Sequence, residues 1–85
     1  MKFTIKYLVS VRDRTGKREE ELDFPEGSML KDVSEWLQAS YGLKLPDPGL
    51  MNTLNGKGWS QYPEKMSTAL HEGDTICIFS RISGG

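Results

Sequence analysis

The sequence predicts an α+β domain: a mixed sheet of four to five strands packed on one main helix. Three observations predict it. Strand-like stretches rich in β-branched and aromatic residues stand near both ends of the chain, a stretch of helical periodicity follows the first two, and Gly, Pro and Asn mark the boundaries. A length of 85 residues suits one domain with an adequate but thin core. The reading divides it into a folded body, 1–79, and a flexible C-terminal tail, 80–85.

The opening run "KFTIKYLVSV" alternates. Phe3, Ile5, Tyr7 and Val9 fall on one face, and Lys2, Thr4, Lys6 and Leu8 on the other, which is the pattern of a half-buried strand. "RDRTGKR" reads as a turn with Gly16 as its permissive position. "EEELDF" returns as a second strand with Leu22 and Phe24 inward, and its glutamates near Lys2 and Lys6 as a solvated charged face. Pro25 ends it. "EGSMLKDVSEWLQASYG" then reads as one helix, with Ser28 as N-cap and Gly42 as the left-handed C-terminal cap. Met29, Val33, Trp36, Leu37 and Ser40 trace its stripe, which is core and not a ligand site.

"LKLPDPGL" is a loop, because Pro46, Pro48 and Gly49 break both regular patterns. "MNTLNGKGW" reads as a strand, an Asn55-Gly56 type I′ turn and a return strand. Its two glycines around Lys57 lack the spacing of a phosphate-binding loop. "YPEKMSTALHEGD" is a connector with a helical turn near 63–66, Met66 and Leu70 under the sheet, His71 on the surface and a tight turn at Gly73. "TICIF" is the last strand, apolar enough to lie inside the sheet. Ile76 and Ile78 face the core; Cys77 and Phe79 face outward. Because the first and last strands both read as buried, they belong side by side and parallel at the centre. This is the β-grasp (ubiquitin-like) arrangement, and it carries the C-terminus out of the rigid middle of the fold.

Composition narrows function. A net charge of −1 with dispersed Lys and Arg gives no basic footprint for nucleic acid. No segment has the roughly 20 apolar residues of a membrane span, and "MKFTIKYLVSVRDR" has too short an apolar run for a signal peptide. A cytoplasmic location is the expectation. One cysteine and one histidine supply neither a disulfide, nor a metal cluster, nor a Cys-His dyad. With no cationic neighbour in sequence, Cys77 is no obvious nucleophile. The chain is not expected to turn over a substrate alone.

Several stretches together resemble the ubiquitin-like sulfur carriers, typified by the small subunit of molybdopterin synthase. "VRDRTGKREEELDFPEGSMLKDVSEWL" resembles that family's first hairpin and helix, and "LNGK" its third-strand hairpin. "LHEGDTICIFSRISGG" resembles its closing signature, a Gly-Asp turn, an apolar strand and a terminal Gly-Gly. Two terminal glycines alone are an ordinary frayed end. Where such carriers commonly have Pro-Pro after the last strand, this chain has Ser80-Arg81, so its exit lacks that stiffening.

The resemblance implies a chemistry. An adenylating enzyme uses ATP and Mg²⁺ to convert the Gly85 carboxylate to an acyl-adenylate. A sulfur donor, such as a cysteine desulfurase or rhodanese, then displaces AMP and leaves a thiocarboxylate. The large catalytic subunit of molybdopterin synthase receives the tail, and a pterin precursor takes the sulfur for molybdenum or tungsten cofactor biosynthesis. No cofactor is bound by the carrier itself. Gly84 gives clearance beside the reacting carbonyl. Phe79 and Leu8 on the outer face dock the partner, and Ser80, Arg81, Ile82 and Ser83 bind it along the tail, Ile82 in an apolar slot and Arg81 against an acidic channel wall. The alternatives are a protein modifier forming isopeptide bonds through Gly85, a carrier for tRNA thiolation or another pathway, and an interaction module with an inert tail.

Overall fold

The computed structural model describes residues 1–81. The chain runs β1 (Lys2–Leu8), α1 (Ser10–Thr15), β2 (Glu19–Asp23), α2 (Leu30–Tyr41), β3 (Leu50–Leu54), β4 (Lys57–Gly58) and β5 (Thr75–Ser80), with 3₁₀ turns at Trp59–Gln61 and Lys65–Ser67. The sheet has five strands in the order β2-β1-β5-β3-β4. β1 pairs in parallel with β5 and antiparallel with β2, while β3 pairs antiparallel with both β5 and β4. This is the expected mixed sheet on one main helix, with β5 at its centre beside the parallel β1.

Alternation decides which side chains of β1 enter the core. Phe3, Ile5 and Tyr7 are buried, while Lys2, Lys6 and Leu8 are exposed. From α2 the buried residues are Leu30, Val33, Ser34 and Leu37, the i, i+3, i+4, i+7 pattern of one helix face. Ser34 is tolerated there because its hydroxyl donates to the carbonyl of Leu45 at 3.2 Å. Leu43, Leu45 and Trp59, from segments without strand or helix periodicity, complete the core together with Leu70. Trp36 packs half-buried against it, edge-on to Tyr41.

Four local expectations are corrected. The "RDRTGKR" turn is instead occupied largely by α1, a short helix that buries Val11 and Thr15 four residues apart. Val9 therefore leaves the strand with φ 57° and is 59% exposed, where the alternation had placed it inside. Ser28 is not the N-cap of α2: its hydroxyl donates to the Pro25 carbonyl, and the helix starts later. Met29 takes the cap position, and the Asp32 carboxylate accepts its backbone N–H at 2.8 Å, which satisfies a donor of the first turn and complements the helix dipole. Ser40, placed on the apolar stripe, is exposed, and Leu30 takes the buried role. The Asn55-Gly56 turn is as expected: both residues have positive φ, 52° and 86°, as a type I′ hairpin requires.

Candidate functional site

The site is built around β5. Thr75 to Ser80 is held on both sides, by β1 over Thr75–Phe79 and by β3 over Ile76–Ser80. Ile76 and Ile78 point inward with no exposure. Each fully buried isoleucine contributes about 1.5–3 kcal/mol to stability. β5 reaches one residue past the expected end of the folded body, through Ser80, whose hydroxyl contacts that of Ser10. Arg81 still donates its N–H to the Gly49 carbonyl at 2.9 Å. The backbone is thus hydrogen-bonded up to the residue before the tail's last four. Gly84 and Gly85, assigned the reacting end, and Ile82 and Ser83, assigned to partner binding, lie outside the described residues.

The outer face of the sheet is set by register. Leu8, Phe79 and Met51 stand in one row across β1, β5 and β3. Leu8 is 43% exposed; Phe79 and Met51 are half-exposed. The two docking residues read from sequence are therefore adjacent. Met51 completes their row but was missed, since only the β3–β5 pairing reveals it. Exposed Val9 follows Leu8 at the same end of the sheet. In the next row, Lys6, Cys77 and Thr53 lie side by side, so pairing gives Cys77 a basic neighbour that the linear sequence does not. Cys77 is a free, half-exposed cysteine.

Two polar clusters hold this strand arrangement. At the tail end of β1, the Glu20 carboxylate accepts hydrogen bonds from Tyr7 Oη at 2.6 Å, Tyr41 Oη at 2.7 Å and Lys17 Nζ at 3.3 Å. Burial acts to raise the Glu20 carboxyl, but these three donors outweigh it and hold it below the usual range. Burial and the bond to Glu20 push the Tyr7 hydroxyl well up. At the other end, the "LHEGD" signature is a structural joint. Gly73 takes φ 83°, a conformation costly for other residues. The Asp74 carboxylate accepts the His71 N–H at 2.8 Å and Asn55 Nδ2 at 3.0 Å, and Asn55 Oδ1 accepts the Thr75 N–H. The turn before β5 is thereby tied to the β3–β4 hairpin. His71 itself is on the surface, as expected.

Among the described residues, no group of three or more His, Cys, Asp or Glu is placed to hold a metal, and no helix is long and apolar enough to cross a membrane. What the site offers is a half-exposed apolar row beside the point where the chain leaves the centre of the sheet.

Comparison with known proteins agrees with this architecture. The family model described as the ThiS family matches residues 5–85. No curated protein matches the chain significantly. Among solved structures, molybdopterin converting factor subunit 1 of Pyrococcus furiosus, so described provisionally, superposes with TM-score 0.78 at 22% identity, over 96% of this chain and 99% of that one. Small archaeal modifier protein 1 from Methanosarcina acetivorans gives TM-score 0.76 at 22% identity, over 99% and 96%. The complex of subunits 1 and 2 of molybdopterin-converting factor from Helicobacter pylori contains a chain similar at TM-score 0.67 and 20% identity, covering all of both chains. At these identities the structures speak for the fold.

Proposed function

We propose, from the premise that this chain belongs to the ThiS family, that it is a sulfur carrier charged at Gly85. A carboxylate is a poor electrophile. Attack on the α-phosphorus of ATP by the Gly85 carboxylate expels pyrophosphate and leaves an acyl-adenylate. Attack of a donor persulfide's terminal sulfur on that carbonyl expels AMP and leaves an acyl disulfide; a second thiol of the donor then attacks the donor's inner sulfur, forming a donor disulfide and releasing the thiocarboxylate. The activating enzyme supplies the ATP and Mg²⁺ site and a separate donor the sulfur. This chain supplies the carboxylate, the clearance given by Gly84 and a surface by which partners hold it.

The observation that carries the proposal is the family match through residue 85. The geometry supports it. Leu8, Phe79 and Met51 give a partner an apolar row beside the chain's exit, with exposed Arg81 at its margin. An aromatic residue at the centre of such a row is a fitting anchor for an interface. The partner we favour is a larger catalytic subunit with a pterin precursor as sulfur acceptor, because a similar chain occurs in a subunit 1–subunit 2 complex. Ile82 and Ser83 would then lie in that partner's channel. Likeness to small archaeal modifier protein 1 supports a second use of the same adenylate, transfer of Gly85 to a lysine of another protein.

The test is to incubate the full chain with its host's activating enzyme, ATP, Mg²⁺ and a sulfur donor, and to measure the intact mass. Conversion at Gly85 adds about 16 Da, and fragmentation separates this from oxidation of Met or Cys77, which adds nearly the same mass. Failure of Gly85 to be adenylated would sink the proposal. Covalent ladders on denaturing gels that vanish with Gly85→Ala would mark the second use.

A further inference from the structure

The two edges of the sheet are not alike. β2 forms one edge, and four of its five residues are acidic: Glu19, Glu20, Glu21 and Asp23. Charge of one sign along a free strand deters pairing with another chain. The other edge is formed by β4, which is only two residues long and pairs with Thr53 and Leu54 alone. Leu50, Met51 and Asn52 are paired to β5 on one side and have no strand partner on the other. This open segment carries no charge and no proline.

A groove of ≈ 480 Å³ runs beside it. Leu50, Trp59, Met66 and Pro48 give it apolar walls, and Lys65 and Arg81 stand on it. Asp47 is its one carboxylate, and Oδ1 of that residue already accepts the Gly49 N–H at 2.7 Å. Among the described residues neither Lys65 nor Arg81 forms an ion pair, although Lys65 Nζ donates to the Ser60 carbonyl. Lys65 is also held at φ 52°, an unfavourable region for a lysine and one that recurs at ligand-binding sites. The indole N–H of Trp59, in a side chain 3% exposed, has no acceptor among the described residues.

We propose that this groove binds an extended segment of a partner protein, alternating apolar and acidic side chains, as an added strand on the open edge of β3. The antiparallel alternation turns the main-chain groups of Leu50 and Asn52 away from β5. The Leu50 N–H already donates to the Asp47 carbonyl at 3.0 Å, so the Leu50 C=O and the Asn52 N–H and C=O give such a segment its register, and side-chain pockets give it specificity. Alternation sends one set of its side chains against Trp59 and Met66. Its carboxylates meet Lys65 and Arg81. A second copy of this chain fits poorly, because a symmetric edge-to-edge pairing sets the same cations of both copies against one another. Arg81 joins the groove to the point where the chain leaves the sheet, and Met51 joins it to the outer apolar row. A partner that receives the tail therefore gains a second, directional handle on the carrier.

The inference does not depend on the chemistry at Gly85, so its failure and that of the sulfur-carrier reading are separable. A random peptide library is panned on the full chain, and recovered peptides are titrated into the ¹⁵N-labelled protein. The expected result is recovery of acidic–apolar alternating peptides whose binding moves the amides of Leu50, Met51 and Asn52 and the Trp59 indole N–H. Affinity is expected to fall about tenfold in the double variant Lys65→Glu/Arg81→Glu, and to weaken with salt in the wild type. Both side chains are exposed, so the fold is retained. Recovery of no peptide, recovery of basic peptides, or shifts centred on β2 or on Leu8 and Phe79 overturns the proposal. Groove shifts that grow with protein concentration in the absence of peptide assign the edge to self-association and overturn it equally.

Discussion

The two faces of β5 belong to one strand with the same neighbours, yet they do different work. Ile76 and Ile78 are wholly buried, whereas Cys77 and Phe79, one residue along from each, remain half-exposed. The inner face converts apolar area into rigidity, and that rigidity aims the chain. The outer face keeps an aromatic and its neighbours Leu8 and Met51 partly in water, where a partner can cover them. Under the proposed function, stability and recognition are thus separated by a single residue step. Substitutions on the two sides are expected to fail in different assays.

The sharpest break of that comparison is Ile78→Ala. Deleting a fully buried isoleucine in a thin core is expected to cost about 2–5 kcal/mol, read by denaturant unfolding. A loss below 1 kcal/mol would mean that the inner face does not set the rigidity of β5. Next is Phe79→Ala, which is expected to weaken partner binding by about 2 kcal/mol, or roughly thirtyfold, while the unfolding midpoint changes little. If unfolding moved as far as for Ile78→Ala, the two faces would not be separable. Glu20→Gln is expected to cost about 1–2 kcal/mol at neutral pH, because two tyrosine hydroxyls lose a charged acceptor. The folded carboxyl titrates below its unfolded value, so its contribution is complete above the unfolded pKa and is lost as pH falls through the folded one. The variant's stability should therefore fall less on acidification than the wild type's; parallel acid limbs would contradict the assigned direction. The smallest effect is expected from Cys77→Ala, within about 0.5 kcal/mol in stability, as suits a half-exposed side chain. A large loss of partner binding in that variant would extend the docking row toward Lys6.

Legibility in the sequence followed periodicity. β1, β5, the stripe of α2 and the Asn55-Gly56 turn were readable because each repeats a spacing or demands a backbone conformation that few residues supply. The segment after Leu8 was misread because alternation continues through Val9 and Val11 in sequence, while the chain changes from period 2 to a helical turn. Buried Leu43, Leu45 and Trp59 stand in stretches with no period at all. The N-terminus of α2 was displaced because a serine near a helix start is a common cap, and here the Asp32 carboxylate does that work for Met29.

Order and inner–outer assignment of the central strands, the helix, the hairpin turn and the reactive-tail hypothesis came from the amino-acid sequence by itself. These are local properties, set by side-chain polarity and by backbone sterics within a few residues. The neighbours of this central pair, and the register of every pairing, were decided by burial across the whole sheet. Only that pairing sets Met51 beside Phe79, Lys6 beside Cys77, and Glu20 beneath two tyrosines. Only the brevity of β4 leaves Leu50–Asn52 open. A strand edge is free or covered according to what the rest of the chain brings against it, and no residue within the strand carries that information.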